Sequence, residues 1–279
     1  MKIGAHVSAT GGIATAIDRI LAIGGNCLQI FVSSPRGWAK RAIRDEEVES
    51  FKSKLTNAKV GPVFIHGLYL ANIATDQAQL REQSIDALSW ALTVADRIGA
   101  EGVIYHTGSK KDQDHAAAMD NVVSAMQEIL ANAPGASQLI IEGSAGHIGQ
   151  VGTTFEELGE MITRVNSDRV KVCFDTCHIF QAGYDLRTTK AIDETLARFN
   201  ELVGLDRLVV LHANDAKKEL GGHLDRHENI GQGTLGESGF RALLHHSKLR
   251  TLPWILEVPG VDGNGPDAEN VLKLQQLAQ

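Results

Sequence analysis

Apolar and polar positions alternate along the chain between two periods. Short runs rich in β-branched and other apolar residues recur at Lys2–Val7, Cys27–Val32, Pro62–Gly67, Gly102–Gly108, Gln138–Gly143, Val170–Thr176, Leu208–Asn214 and Trp254–Val258. Each has the length of a strand. The segments between them carry helical spacing. Ile13, Ala16, Ile17, Ile20 and Leu21 form one stripe, and Ile85, Leu88, Leu92 and Ala95 another. Thr154 followed by Glu157 has the form of a capping box, opening a helix with Leu158 and Ile162 on its inner side. Asp267 is placed to cap a last helix that turns Val271, Leu274 and Leu277 inward. Eight strands alternating with helices predict an α/β fold, a (β/α)8 TIM barrel; a doubly wound open sheet is the competing arrangement. No low-complexity stretch or Ser/Pro-rich linker interrupts the alternation, so one barrel domain over residues 1–279 is expected.

The ends of the predicted strands change the picture. Strand three closes on Ile65-His66, strand four on Tyr105-His106 and strand five on Ile141-Glu142. Strand six closes on Phe174-Asp175 with His178 just beyond, strand seven on Leu211-His212, and strand eight carries Leu256-Glu257. The loop after strand seven adds Asp225 and His227. A single histidine or carboxylate at such a place has an ordinary explanation as a satisfied core group or an arginine partner. Six consecutive strands ending this way do not, because a barrel gathers these ends at one mouth. Burying five imidazoles and four carboxylates together is costly unless cations join them. The donors are nitrogen and oxygen, which suits zinc, manganese or iron and not a cysteine-type structural zinc site. Nine donors exceed the needs of one ion, so two or three ions sharing a bridging carboxylate are expected, an arrangement suited to phosphate-ester hydrolysis.

Composition narrows the class. Hydrophobic residues make up 43% of the chain and charged residues 22%, the balance of a soluble globular protein. The apolar runs are too short to span a bilayer, and the N-terminus has no apolar core of a signal peptide. Cys27, Cys173 and Cys177 form no C-x-x-C pair and read as reduced thiols of an intracellular, cytoplasmic protein. Cys173 is expected in the core, while Cys177 lies next to His178 and within reach of the site. The formal charge of −7 excludes a surface that is basic throughout, although not a local basic track.

At this point the chain resembles endonuclease IV, the metal-dependent apurinic/apyrimidinic endonuclease family. The resemblance begins at Gly4-Ala5-His6-Val7-Ser8 and runs to the helix after Glu257. It rests on three ordered motifs: Asp175-Thr176-Cys177-His178 continuing to Ala182-Gly183-Tyr184-Asp185; His212-Ala213-Asn214-Asp215-Ala216-Lys217; and Asp225-Arg226-His227 followed by Ile230-Gly231 and Gly233. The resemblance implies three divalent ions, usually zinc, with manganese or iron as alternatives. His66, His106 and Glu142 would hold the first. Glu142, Asp175, His212 and Glu257 would hold the second, and His178, Asp225 and His227 the third. Glu142, Asp175 and Glu257 are then the catalytic candidates. The implied reaction is hydrolysis of the phosphodiester 5′ to an abasic site, leaving a 3′-hydroxyl and a 5′-deoxyribose phosphate, together with removal of blocking groups from 3′ ends. The implied partner is double-stranded DNA carrying such lesions, met by a monomer and away from any membrane. Arg36, Tyr69 and Leu70, on two loops beside the mouth, fall at DNA-penetrating positions of the family; an arginine, an aromatic ring and an apolar wedge suit entry into a base stack.

The chain departs from the familiar family pattern at Gly67, Thr107, Gln181 and Gln232, none of them a ligand position. A sugar isomerase or epimerase on the same barrel is the main rival. It would use Glu142, Asp175, His212 and Glu257 for a single manganese and has no need of the other five donors. A non-catalytic metal- or DNA-binding module is a more distant alternative, since structural metal sites rarely form open clefts rich in carboxylates.

Overall fold

The alternation of strands and helices closes on itself in the computed structural model, which describes residues 1–279. Eight parallel strands form the closed barrel: β1 (Ile3–His6), β2 (Leu28–Ile30), β3 (Val63–His66), β4 (Gly102–Tyr105), β5 (Gln138–Glu142), β6 (Val170–Asp175), β7 (Leu208–Ala213) and, after two short strands of a side hairpin, β10 (Trp254–Leu256). Strands β1 and β10 pair in parallel, Ile3 opposite Trp254, and complete the ring. This settles the choice between barrel and open sheet. Every predicted run contains one of these strands, but all eight are shorter than the runs. The excess falls mainly at their C-terminal ends, where the chain leaves the sheet to build the mouth.

Helices α1 (Thr15–Ala22), α2 (Asp45–Ala58), α3 (Ala78–Ile98), α4 (His115–Asn132), α5 (Phe155–Val165), α7 (Thr189–Leu202), α8 (Gly236–His245) and α9 (Ala268–Leu277) surround the barrel, while the short α6 (Thr176–Gln181) continues directly from β6. The capping box is formed: Thr154 Oγ1 accepts from Glu157 N at 3.2 Å, and Glu157 Oε2 accepts from Thr154 N at 3.1 Å. Asp267 caps α9 by accepting from Asn270 N at 2.9 Å. The stripes of α3, α5 and α9 are buried as expected, and so are Ile13, Ala16, Ile17 and Ile20. Leu21 is the exception, 47% exposed, because it lies one position round α1 from Ile20 and faces away from the sheet.

Two hydrophobic layers result. The larger fills the space between strands and helices. The smaller is a plug inside the barrel made by Cys27, Phe64, Ile104, Ile140, Cys173, Val210 and Ile255. β1 adds no side chain to this plug: a Cβ at Gly4 would stand 1.7 Å from the Cys27 carbonyl oxygen, so only glycine allows the two backbones to approach. No helix is long and apolar enough to cross a membrane.

Candidate metal centre

The alternation of side chains along a strand places the next inward-facing residue two positions on from the plug. Those residues are Gln29, His66, His106, Glu142, Asp175, His212 and Glu257, with His6 from β1. They form a polar layer at the C-terminal mouth. The donor atoms of His66, His106 and Glu142 lie within 4.8 Å of one another, as do those of Glu142, Asp175, His212 and Glu257, and those of His178, Asp225 and His227. A fourth grouping, Asp175, Cys177 and His227, brings in the cysteine next to His178. Its thiol points at the Arg226 carbonyl, 3.6 Å away, and burial pushes it up to about 12.

Local structure explains several of these placements. Asp175 ends β6 and caps α6, its Oδ1 accepting from His178 N at 3.0 Å. One turn of helix therefore sets His178 beside the carboxylate that starts it. Asp175 Oδ2 takes the Asn214 amide at 2.5 Å, while Asn214 Oδ1 accepts from Glu257 N at 2.9 Å. The arm bearing Asp225 and His227 returns to the barrel through the hairpin of β8 (Asp215–Ala216) and β9 (His227–Glu228), strands too short to register as a pattern in the sequence. The Asp215 carboxylate, fully buried, receives the backbone N–H groups of Ala216, Gly231, Gly233 and Leu235 at 2.8–3.0 Å.

The hydrogen bonding identifies which ring nitrogens are free. His66 Nδ1 donates to the Gly67 carbonyl at 2.6 Å, His178 Nδ1 to Gly143 at 3.1 Å and His227 Nδ1 to Glu257 at 3.3 Å. A carbonyl can only accept, so Nδ1 carries a proton in each ring, and in the neutral ring, the form that binds a metal, Nε2 presents its lone pair to the mouth. His66 Nε2 and His106 Nε2 each stand 3.4 Å from Glu142 Oε2, a buried oxygen with no hydrogen-bond partner. His178 Nε2 and His227 Nε2 face each other at 3.4 Å, with Asp225 Oδ1 at 3.1 and 3.2 Å. Two lone pairs and a carboxylate turned on one point repel unless a cation lies between them. The residues present therefore fit divalent metal ions.

The electrostatics agree. Burial would raise the Glu142 carboxyl, but His106, His212 and His178 hold it well below the usual carboxylate range. Burial would lower His178, yet Asp175, Asp225 and Glu142 hold it well above the usual imidazole value. The same balance lifts His227 to about 9, with Asp175 and Asp225 as the partners that outweigh burial. His106, with fewer carboxylates beside it, is held low by burial. With its carboxylates ionised, the mouth draws positive charge onto its imidazoles wherever no other cation supplies it.

Two further residues belong to this layer, a histidine at the end of β1 and an amide inside β2. His6 ends β1 with Nδ1 3.2 Å from Glu257 Oε1. Gln29, fully buried in β2, donates through Nε2 to Glu257 Oε1 at 2.6 Å and accepts at Oε1 from His212 Nε2 at 2.9 Å. A polar residue inside a strand covered on both faces cannot point to solvent, a signal that becomes decisive for Gln29 only once the barrel is known to close around β2.

The three expected DNA-contact residues lie on neighbouring loops at the rim. Tyr69 N donates to the Pro35 carbonyl at 3.0 Å, which ties the Tyr69-Leu70 loop to the loop of Arg36. Tyr69 is 57% exposed and Leu70 38%, and Arg36 is exposed. The Tyr69 ring packs edge-on against Phe31 and His66, with centroids 5.2 and 5.6 Å away, so it borders the polar mouth directly.

Three of the four departures have a local explanation, and the Gln232 side chain has none in the structure. A Cβ at Gly67 would press on Leu88 and Tyr105 at 3.0 and 3.1 Å, where α3 packs against β4. The Thr107 hydroxyl donates to the Val151 carbonyl and joins the loops after β4 and β5. Gln181 donates to the carbonyls of Lys218 and Glu219 at 2.8 and 3.2 Å, holding the base of the Asp225 arm. Gln232 N closes a turn on the Asn229 carbonyl at 3.0 Å.

Comparison with known proteins places this geometry in context. Residues 17–277 match the family described as xylose isomerase-like TIM barrel. The chain is 36% identical over 277 residues to a probable endonuclease 4 of Halothermothrix orenii, covering 99% of this chain and 100% of that one. It is 39% identical over 265 residues to a probable endonuclease 4 of Halobacterium salinarum, covering 95% of each. Among solved structures, endonuclease IV from Thermus thermophilus superposes with a TM-score of 0.87 at 32% identity, covering 99% of this chain and 98% of that one. A D-tagatose 3-epimerase-like protein superposes with a TM-score of 0.73 at 18% identity, covering 99% and 95%, and shares the fold.

Proposed function

The chain belongs to the endonuclease IV family, and from that premise we propose that it hydrolyses the DNA phosphodiester 5′ to an abasic site, leaving a 3′-hydroxyl and a 5′-deoxyribose phosphate, and that it also clears blocked 3′ ends. The observation that carries this reading is the surplus of donors. A single-ion sugar isomerase on this barrel would use Glu142, Asp175, His212 and Glu257. His66, His106, His178, Asp225 and His227 would then be unexplained, although His66, His178 and His227 each have a ring held by a backbone carbonyl with Nε2 turned inward. Shared fold with the epimerase-like protein does not weigh against this, because fold alone does not set chemistry.

Three ions fit the three groupings: His66, His106 and Glu142; Glu142, Asp175, His212 and Glu257; and His178, Asp225 and His227. Nitrogen and oxygen donors suit zinc, with manganese or iron as alternatives. Divalent ions bound there supply Lewis-acid charge at a phosphodiester and favour deprotonated water near neutral pH. Glu142 belongs to two of the groupings and so fixes them relative to each other. Gln29 holds Glu257 at Oε1 and leaves Oε2 facing His212, while both oxygens of Asp175 are held, Oδ1 by His178 N and Oδ2 by Asn214, with Oδ2 the one that faces the mouth. The apolar plug below excludes water from the inner side and strengthens every charge interaction above it. The Cys177 thiol, which joins one grouping, points at the Arg226 carbonyl and is pushed up to about 12 by burial, in keeping with attack by water rather than by this thiol.

Recognition falls to the rim. Tyr69 and Leu70 would fill the gap left by the missing base, with Arg36 entering beside them. Opening a duplex is cheapest where a base is already absent. The deciding experiment is incubation of metal-replete protein with a duplex bearing one tetrahydrofuran abasic analogue. Incision 5′ to the lesion with an extendable 3′-hydroxyl is expected. An intact duplex under these conditions overturns the reading.

A further inference from the structure

Three histidines of the mouth, His66, His178 and His227, have their rings fixed by backbone carbonyls, which no substitution can remove. His212 differs. Its ring is fixed by a side chain, and the side chain is Gln29. The direction of that contact follows from Glu257. A carboxylate oxygen only accepts, so the Gln29 group 2.6 Å from Glu257 Oε1 must be the amide nitrogen. The amide oxygen then faces His212 Nε2 at 2.9 Å and requires a proton there. A neutral His212 with hydrogen on Nε2 has its lone pair on Nδ1. That atom stands 3.0 Å from Glu142 Oε1, 3.2 Å from Glu257 Oε2 and 3.9 Å from Asp175 Oδ2.

We infer that Gln29 is a positioning residue that selects the tautomer of His212 and orients Glu257, and so prepares the Glu142, Asp175, His212 and Glu257 group to bind a divalent ion. The inference rests on the metal-dependent reading given above. Burial makes the role specific. Gln29 is fully enclosed, water cannot replace its amide, and its two ends are committed to two different residues of the same group. An apolar residue there would leave His212 Nε2 without an acceptor and Glu257 Oε1 without this donor. Partners of this kind around a metal site typically alter metal affinity 10- to 100-fold.

The test uses zinc-loaded protein with 15N-labelled histidine and the variant Gln29→Met, which keeps the volume and removes both hydrogen bonds. In the wild type, the His212 ring proton is expected on Nε2. In the variant, chelator competition is expected to show one zinc equivalent bound about 10- to 100-fold more weakly, with the other zinc held as before. A wild-type ring proton on Nδ1 overturns the inference without recourse to any variant. So does a folded variant that holds all its zinc with wild-type affinity. The outcome is separable from the nuclease reading. Failure to incise abasic DNA with both readouts as expected removes the nuclease alone, whereas incision with His212 protonated on Nδ1 removes the role of Gln29 alone.

Discussion

Two layers inside the barrel lie two residues apart on every strand but one, and their chemistry is opposite. Cys27, Phe64, Ile104, Ile140, Cys173, Val210 and Ile255 make the apolar plug. Two positions on, Gln29, His66, His106, Glu142, Asp175, His212 and Glu257 make the polar mouth. The backbone is shared, and the parallel register that aligns one layer necessarily aligns the other. Strand geometry therefore supplies convergence to both, and the side chains decide what convergence produces. In the plug it gives packing that stabilises the barrel outright. In the mouth it gives crowded donors and charges, a stored cost that bound cations would relieve. The plug can be judged by volume, the mouth only by charge and proton placement.

The comparison can be tested at several depths. The largest effect is expected from Glu142→Gln, which keeps shape and removes the charge shared by two donor groups. Turnover on abasic duplex should fall by about a thousandfold or more, on the order of 4 kcal/mol of transition-state stabilisation, with fold and DNA binding retained. Near-normal nicking by this variant would deny Glu142 its role. Phe64→Ala, directly beneath His66, should act in the opposite sense, with stability lost by about 3–4 kcal/mol in denaturant titration and the zinc content of the folded fraction unchanged. If zinc falls instead, the two layers are less separable than their chemistry suggests. Removing metal with a chelator should lower the melting temperature by several degrees, since one ion bound at a hundredfold excess over its Kd contributes about 2.7 kcal/mol. A melting curve indifferent to chelator would mean that the mouth tolerates its own charges. The smallest effect lies at the rim. Tyr69→Ala combined with Leu70→Ala should reduce the preference for abasic over intact duplex about tenfold, roughly 1.4 kcal/mol, at matched salt and with unchanged metal content. Retention of the wild-type preference would exclude these residues from lesion reading.

How much of this was legible in the sequence follows from the same two layers. The barrel was legible because eight apolar runs and the stripes between them repeat one signal. The strand-end histidines and carboxylates were legible because such groups are rare after apolar runs, and the fold brings them to one mouth. Gln29 was not, because a lone polar residue between Leu28 and Ile30 looks like ordinary alternation until the strand is known to be covered on both faces. His6 lies within the opening Gly4–Ser8 motif, and its place at the end of β1, like that of His66 at the end of β3, shows only in the folded strand. Ring tautomers were beyond reach altogether. They depend on carbonyls such as those of Gly67 and Gly143, whose directions exist only once the loops are folded.

The Asp215 clasp has a consequence for how the outer part of the site moves. Asp225 and His227 sit on a long excursion from the barrel, and such an arm would ordinarily open and close freely. Its return segment is instead gathered onto one buried carboxylate by the N–H groups of Gly231, Gly233 and Leu235. Those amides lie in loop, yet their exchange with deuterated solvent requires Asp215 to lose several partners at once. They should exchange at rates closer to those of the neighbouring barrel strands than to those of the exposed Glu219 and Leu220, so that the arm breathes at its outer turn while its root keeps time with the barrel.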